Sequence, residues 1–169
     1  MKILVTGANG QLGNELKEIS VEYAEHEILY TDEKELDITN KVHVHQFITS
    51  YNPDVIINCA AYTAVDKAEA EENLAFLINS TAAGNLANAS AKVNALLVHI
   101  STDYVFDGKA CIPYVETNET NPTSAYGRTK HSGELTINQY ATKAIIIRTS
   151  WLYSEFGHNF VKTIIRYSK

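Results

Sequence analysis

At 169 residues the chain is the size of one domain, and with 45% apolar side chains it has material for a substantial buried core. A net charge of −6, with no cluster of Lys or Arg, excludes a nucleic-acid surface, which needs a basic footprint to displace counterions from phosphates. Two cysteines are too few for a disulfide framework, and no run nears the roughly 18 apolar residues of a membrane span, so a reducing, cytoplasmic setting without a membrane partner is expected.

Lys2 to Thr6 is apolar and β-branched and predicts a strand. It runs into GANGQLG, residues 7 to 13, and then into a helix expected from Gln11 to Ser20, with Leu12, Leu16 and Ile19 on one face. A short strand at Ile28 to Thr31 closes a first strand-helix-strand unit. The alternation continues with a helix at about Val42 to Tyr51, a strand at Val55 to Cys59, a long helix from about Glu71 to Lys92 and a strand at Ala95 to Ser101. After a loop holding Cys111, Gly108, Pro113 and Pro122 come a helix at about Ala125 to Tyr140, a strand at Ala144 to Thr149 and a helix at about Asn159 to Tyr167. Val55-Ile56-Ile57 and Ile145-Ile146-Ile147 do not alternate with polar residues, the pattern of parallel strands covered on both faces. The expected fold class is α/β, a doubly wound parallel sheet of Rossmann-like type, with no composition shift to mark a second domain.

In a strand-to-helix turn of this kind, a first glycine permits the bend, a second lets backbone approach a pyrophosphate and a third lets helix pack on strand. Gly7, Gly10 and Gly13 have the spacing for those roles, and the N–H groups opening the helix favour an anion. Asp32 follows Gly13 by 19 residues, at the end of the second strand, where a carboxylate can bind ribose hydroxyls and repel a 2′-phosphate. That leans towards NAD over NADP. Asp37, further along the acidic run, is a candidate for the adenine edge.

Ser101 and Thr102 sit where a buried strand ends, the edge at which open parallel sheets bind ligands, and either hydroxyl could hold a carbonyl oxygen. Tyr126 and Lys130 are four apart on one helix face. A phenol is a weak acid at neutral pH, but a cation one turn away favours its phenolate and so makes it a better proton donor. With a dinucleotide turn in the same chain, the set describes hydride transfer to or from a carbonyl, with Tyr126 as proton donor.

The glycine spacing and the Tyr126, Lys130 pair resemble the extended short-chain dehydrogenase/reductase superfamily. NCAAYTAVDKAE at 58 to 69, HISTDYVFDG at 99 to 108 and RTSWLY at 148 to 153 are similar, within it, to the dTDP-4-dehydrorhamnose reductase family, over essentially the whole chain. The resemblance implies reduction of the 4-keto group of dTDP-4-dehydro-L-rhamnose by NADPH or NADH. It implies Thr102, Tyr126 and Lys130 as the catalytic set. Gly7, Gly10, Gln11, Leu12, Gly13, Asp32, Asp37, Ala60, Ala61 and Tyr62 would line the cofactor together with Tyr126 and Lys130. Val65, Thr102, Asp103, Tyr104, Tyr126 and Trp151 would face the nucleotide-sugar substrate.

Some family members bind Mg2+ at a dimer contact through a glutamate placed like Glu15. The partners for that ion are absent here, so Glu15 is expected to be surface charge and no metal site is expected, while a homodimer stays open. His43 and His45 are expected as exposed helix residues, and Lys67 and Glu69 as the solvated start of a helix. Family members continue beyond this length, so residues 1–169 read as the cofactor-binding part with the C-terminal substrate lobe absent. Such a chain is expected to keep the nucleotide site and lose much of its dTDP-sugar affinity and turnover. Two other readings remain: a nucleotide-sugar 4-epimerase or 4,6-dehydratase of the same superfamily, which would not consume NADH, and a regulatory subunit resembling the methionine adenosyltransferase β subunit. The STDYVFDG and RTSWLY segments weigh against the former, and the intact Thr102, Tyr126 and Lys130 against the latter.

Overall fold

Five strands dominated by apolar and β-branched residues make one sheet: β1 (Lys2–Thr6), β2 (Glu27–Thr31), β3 (Val55–Asn58), β4 (Leu96–Thr102) and β5 (Ala144–Thr149). Their order is β2-β1-β3-β4-β5 and every neighbouring pair is parallel. This computed structural model describes residues 1–168; Lys169 lies outside the described residues.

The helices are α1 (Gln11–Ile19), α2 (Lys41–Tyr51), α3 (Val65–Ala68), α4 (Glu72–Phe76), α5 (Ala82–Lys92), α6 (Ala125–Tyr140) and α7 (Phe160–Tyr167). The chain steps from β1 to β2 in one direction and from β2 to β3 in the other. Because such crossovers are right-handed, that reversal puts α1 and α2 on opposite faces. α2, α5 and α6 pack side by side on the second face. The reversal also parts the carboxyl ends of β1 and β3, which opens a crevice there.

Leu4, Ile56 and Leu97 of the sheet meet Val44 and Ile48 of α2, Leu86 of α5 and Ile137 of α6 in the main core. Each such fully buried aliphatic side chain contributes on the order of 2 kcal/mol. β5 departs from the expectation drawn from its Ile triplet. Ile146 packs against the core, but Ile145 and Ile147 are 49% and 44% exposed, so among the described residues only one face of this strand is covered.

The helix expected from Glu71 to Lys92 is α4 and α5 joined by a π-helical turn, Leu77–Thr81. Its extra residue per turn turns Asn79 towards Tyr62 and Thr129. Cys59 lies just past β3 instead of inside it, while Thr102 is the last residue of β4.

Candidate active site

The turn after β1 is built by close approach. Gly7 has φ +67°, and a Cβ there would lie 2.5 Å from Ala60 N; a Cβ on Gly13 would lie 2.5 Å from the Gly7 carbonyl oxygen. Gly10 is different. It has an ordinary φ of −73°, caps α1 without any side chain, and would place a Cβ no closer than 3.2 Å to its nearest neighbour. The N-terminus of α1 therefore presents backbone N–H groups with no side chain bonded to them. Asp32 fastens β2 to this turn, accepting from Asn9 N and Glu33 N at 2.8 Å each. Asp37 is turned into its own loop: its Oδ1 accepts from Thr39 Oγ1 at 2.7 Å and from Thr39 N at 2.9 Å, which holds its carboxyl below the usual carboxylate range.

Opposite the turn, β4 delivers Thr102 to the sheet edge, where its Oγ1 accepts from Tyr104 N at 3.2 Å and donates to Asp103 Oδ1 at 3.1 Å. Helix α6 starts at Ser124, whose hydroxyl accepts from Gly127 N, and it sets Tyr126 and Lys130 one turn apart. A cavity of about 780 Å³ lies between the two sides. Gly10, Gln11, Leu12 and Ala61 line one side of it; Thr102, Tyr126 and Lys130 line the other. Val65, Asp103, Tyr104 and Trp151 complete the wall. Twelve of the residues singled out from the sequence, Ser101 included, thus face one space, whereas Gly7 and Gly13 shape the turn behind it. Asp32, Asp37, Ala60 and Tyr62 are not on that wall. Tyr62 donates its phenolic proton to Glu71 Oε2 at 2.5 Å, and Ala60 donates its N–H to Asn58 Oδ1.

The electrostatics of the tyrosine-lysine pair differ from the expectation. Burial raises the Tyr126 pKa; the neighbouring Thr102 hydroxyl opposes that, and Asp103 and Tyr104 add to the rise. Lys130 is 1% exposed, and burial pulls its pKa down to about 8 against the attraction of Glu134. The phenol is thus kept protonated and the lysine holds its proton loosely.

Several supporting residues escaped the sequence reading. His99 of β4 stands behind Lys130, and Asn58 of β3 behind His99, and all three are buried. Asn79 clamps Tyr62 through both its N–H and C=O and donates to Thr129 Oγ1, which donates to the Tyr126 carbonyl. Ser101, which the sequence offered beside Thr102 for the carbonyl oxygen, instead donates to Glu134 Oε1 at 2.5 Å, and Arg148 Nη2 donates to Glu134 Oε2 at 2.7 Å, locking β4, α6 and β5 together. The one legible signal was polar residues inside apolar strands, as in LLVHIST.

Glu69, expected as solvated charge, accepts from Ala125 N at 2.7 Å and so caps α6 from outside. His43 and His45, expected as exposed, are half-buried, and His43 packs edge-on against Phe47. Burial pushes the Cys59 thiol up to about 12. Among the described residues no three His, Cys, Asp or Glu gather as a metal site, and no helix is long and apolar enough to cross a membrane.

The family model for the RmlD substrate binding domain matches residues 1–169. The chain belongs to that family. The dTDP-4-dehydrorhamnose reductase of Aggregatibacter actinomycetemcomitans is 46% identical over 168 residues, 99% of this chain and 57% of the relative. The Escherichia coli enzyme of the same name is 41% identical, with 100% of this chain and 57% of the relative covered. The chain thus spans a little over half the length of these relatives. A Clostridium acetobutylicum dTDP-4-dehydrorhamnose reductase structure superposes with a TM-score of 0.95 at 50% identity, over 99% of this chain and 59% of that one. A Bacillus anthracis structure of that enzyme, in complex with NADP, gives 0.94 at 48% identity, over 98% and 58%.

Proposed function

We propose that this chain holds NADPH or NADH and carries the side chains that reduce the 4-keto group of dTDP-4-dehydro-L-rhamnose to dTDP-L-rhamnose. The convergence of Thr102, Tyr126 and Lys130 on the cavity whose far side is Gly10, Gln11 and Leu12 carries this reading. The residues suit the coenzyme in shape and charge. Gly10 offers no Cβ and α1 no capping side chain, so helix N–H groups and the positive end of the dipole are free for a diphosphate. Asp32 keeps lone pairs beyond those used by Asn9 and Glu33, enough for ribose hydroxyls.

When bound, the coenzyme supplies the hydride for the carbonyl carbon. Tyr126 donates its phenolic proton to the carbonyl oxygen, and the burial that raises its pKa keeps that proton on the ring until the oxygen becomes basic. The Thr102 hydroxyl, placed by the bond it accepts from Tyr104 N, holds the same oxygen by turning its proton there from Asp103. Lys130 stands one helical turn away to offset the tyrosinate charge. Val65, Asp103, Tyr104 and Trp151 make the wall on which the sugar nucleotide rests.

The test joins this chain to the C-terminal part of the Escherichia coli relative and follows NADPH oxidation on addition of dTDP-4-dehydrorhamnose. Stoichiometric oxidation that falls at least about 100-fold in Tyr126→Phe supports the reading. Conversion of the sugar without net oxidation would move it to an epimerase or dehydratase, and coenzyme binding without any conversion would favour a regulatory subunit.

A further inference from the structure

Among the described residues, neither β2 nor the acidic segment after it contributes to the wall of the cavity beside Tyr126. A dinucleotide with its diphosphate at Gly10 and one ring beside Tyr126 therefore carries its other half past the turn. That half lies over the carboxyl end of β2, the strand on the opposite side of β1 from β3 and β4. The surface there is acidic, since Asp32, Glu33 and Glu35 stand against Lys34 within four consecutive residues. NADPH differs from NADH by a phosphate on the ribose of this half, so the charges met here decide between the two.

One cation is fastened to this surface. Lys17, in the last turn of α1, leans back towards the start of its helix, the direction helical side chains take. Its Nζ donates to Asn9 Oδ1 at 3.0 Å and lies 5.9 Å from the centroid of the Tyr30 ring. Tyr30 of β2 is pinned in turn, donating its hydroxyl proton to the Leu16 carbonyl at 2.9 Å. Asn9 N donates to Asp32 Oδ2 at 2.8 Å, so a single residue of the glycine turn joins the lysine to the carboxylate. Both Asp32 oxygens accept backbone N–H groups, from Asn9 and Glu33, which offsets part of the negative charge. An ammonium group has three donors, of which Asn9 takes one, and no carboxylate among the described residues forms an ion pair with Lys17.

We propose that Lys17 is a specificity-determining residue: it supplies the positive charge that receives the ribose phosphate of NADPH, and so lets a chain with Asp32 at the ribose take either coenzyme. The inference rests on the reading of this chain as a holder of NADPH or NADH. Asp32 alone repels a phosphate; an ammonium group held one residue away on Asn9 offsets that repulsion. Tyr30 keeps the lysine in place before the coenzyme arrives, so little side-chain freedom is lost on binding. Lys34 lacks that preparation, because it is exposed where Lys17 is half-buried. NADH presents a neutral hydroxyl at the same point and gains little from the cation.

The test titrates NADPH and NADH separately into the unaltered chain, Lys17→Met, Lys17→Arg and Lys34→Met, by calorimetry. Lys17→Met keeps a stem over Tyr30 and removes the charge; it is expected to weaken NADPH at least about fivefold and NADH less than about twofold. Lys17→Arg keeps the charge and should hold the ratio of the two affinities within about twofold of the unaltered chain. The NADPH loss in Lys17→Met should shrink as salt is raised from about 0.05 M to about 0.5 M, because a half-buried cation is screened. An unchanged ratio in Lys17→Met overturns the proposal and leaves the coenzyme reading standing. Equal weakening of both coenzymes also overturns it, since Lys17 would then serve the turn and not the phosphate. A larger change of ratio in Lys34→Met than in Lys17→Met gives the role to Lys34 instead. Binding of neither coenzyme by the unaltered chain defeats the coenzyme reading itself, and the proposal with it.

Discussion

Two regions of the molecule invert the usual rule of residue burial. Under α6, Lys130 is the largest fully buried side chain, and Asn58, His99, Glu134 and Ser101 are buried around it. Beyond β5, the only tryptophan, Trp151, is 70% exposed, Tyr153 63% and Tyr167 82%, and α7 buries none of its residues. The first region is fixed by mutual hydrogen bonds that leave no polar atom of the cluster unpartnered. The second is held by the Asn159 cap, one bond from Asn159 to Gln11, and edge-on contacts of Trp151 and Tyr153 with Phe160. Residue type alone therefore tells little about burial near this site; the partners available to each group decide it.

The largest effect is expected where backbone meets backbone. Gly7→Val places a branched side chain at φ +67° and against Ala60, and should cost at least about 4 kcal/mol in urea unfolding. A loss near 1 kcal/mol would show that the turn can yield. Next comes Arg148→Met, which strands the Glu134 carboxylate, 3% exposed, without its cation. A loss of about 3 kcal/mol is expected, since Arg148 itself is only partly buried. Recovery of most of that loss in the double variant with Glu134→Gln would sharpen the assignment.

A pH series separates the buried cluster from its exposed counterpart. The folded Lys130 pKa of about 8 lies below its ordinary 10.5, so between those values the unfolded chain holds a proton that the folded chain does not. Stability contributed by this group consequently rises with pH across that window, and the unaltered chain should gain about 2 kcal/mol over Lys130→Met between about pH 8 and about pH 10. A flat difference would mean that Lys130 keeps its ordinary affinity for protons. The smallest effect is reserved for Trp151→Gly. Trp151 sits at φ +53°, so glycine relieves strain while losing the contact with Phe160, and the net change should stay within about 1 kcal/mol.

The sheet was legible because its strands are apolar runs bounded by turn residues, and each of the five expected strands lies within one or two residues of its place. GANGQLG, Thr102, Tyr126 and Lys130 were legible because spacing alone places them at strand ends and on one helix face. The π-helical turn was not: nothing in LINST departs from helical periodicity, and its cause, the clamp of Asn79 on Tyr62 and Thr129, spans residues far apart in the chain. The protonation of the pair was equally hidden. The four-residue spacing suggested a cation acting on a phenol, whereas the burial of Lys130 with His99 and Asn58 behind it depends on α6 and two strands, β3 and β4, brought together only by folding.

The most direct test of the account is a calorimetric titration of this chain with NADPH and NADH, run beside Gly10→Val. Gly10 has an ordinary φ and a single tight neighbour, so the variant should melt within a few degrees of the unaltered chain. The account predicts that the unaltered chain binds at least one of the two coenzymes and that the folded variant loses most of that affinity. Equal binding by both chains would contradict it, because the turn after β1 would then be a packed bend and not the seat of a diphosphate.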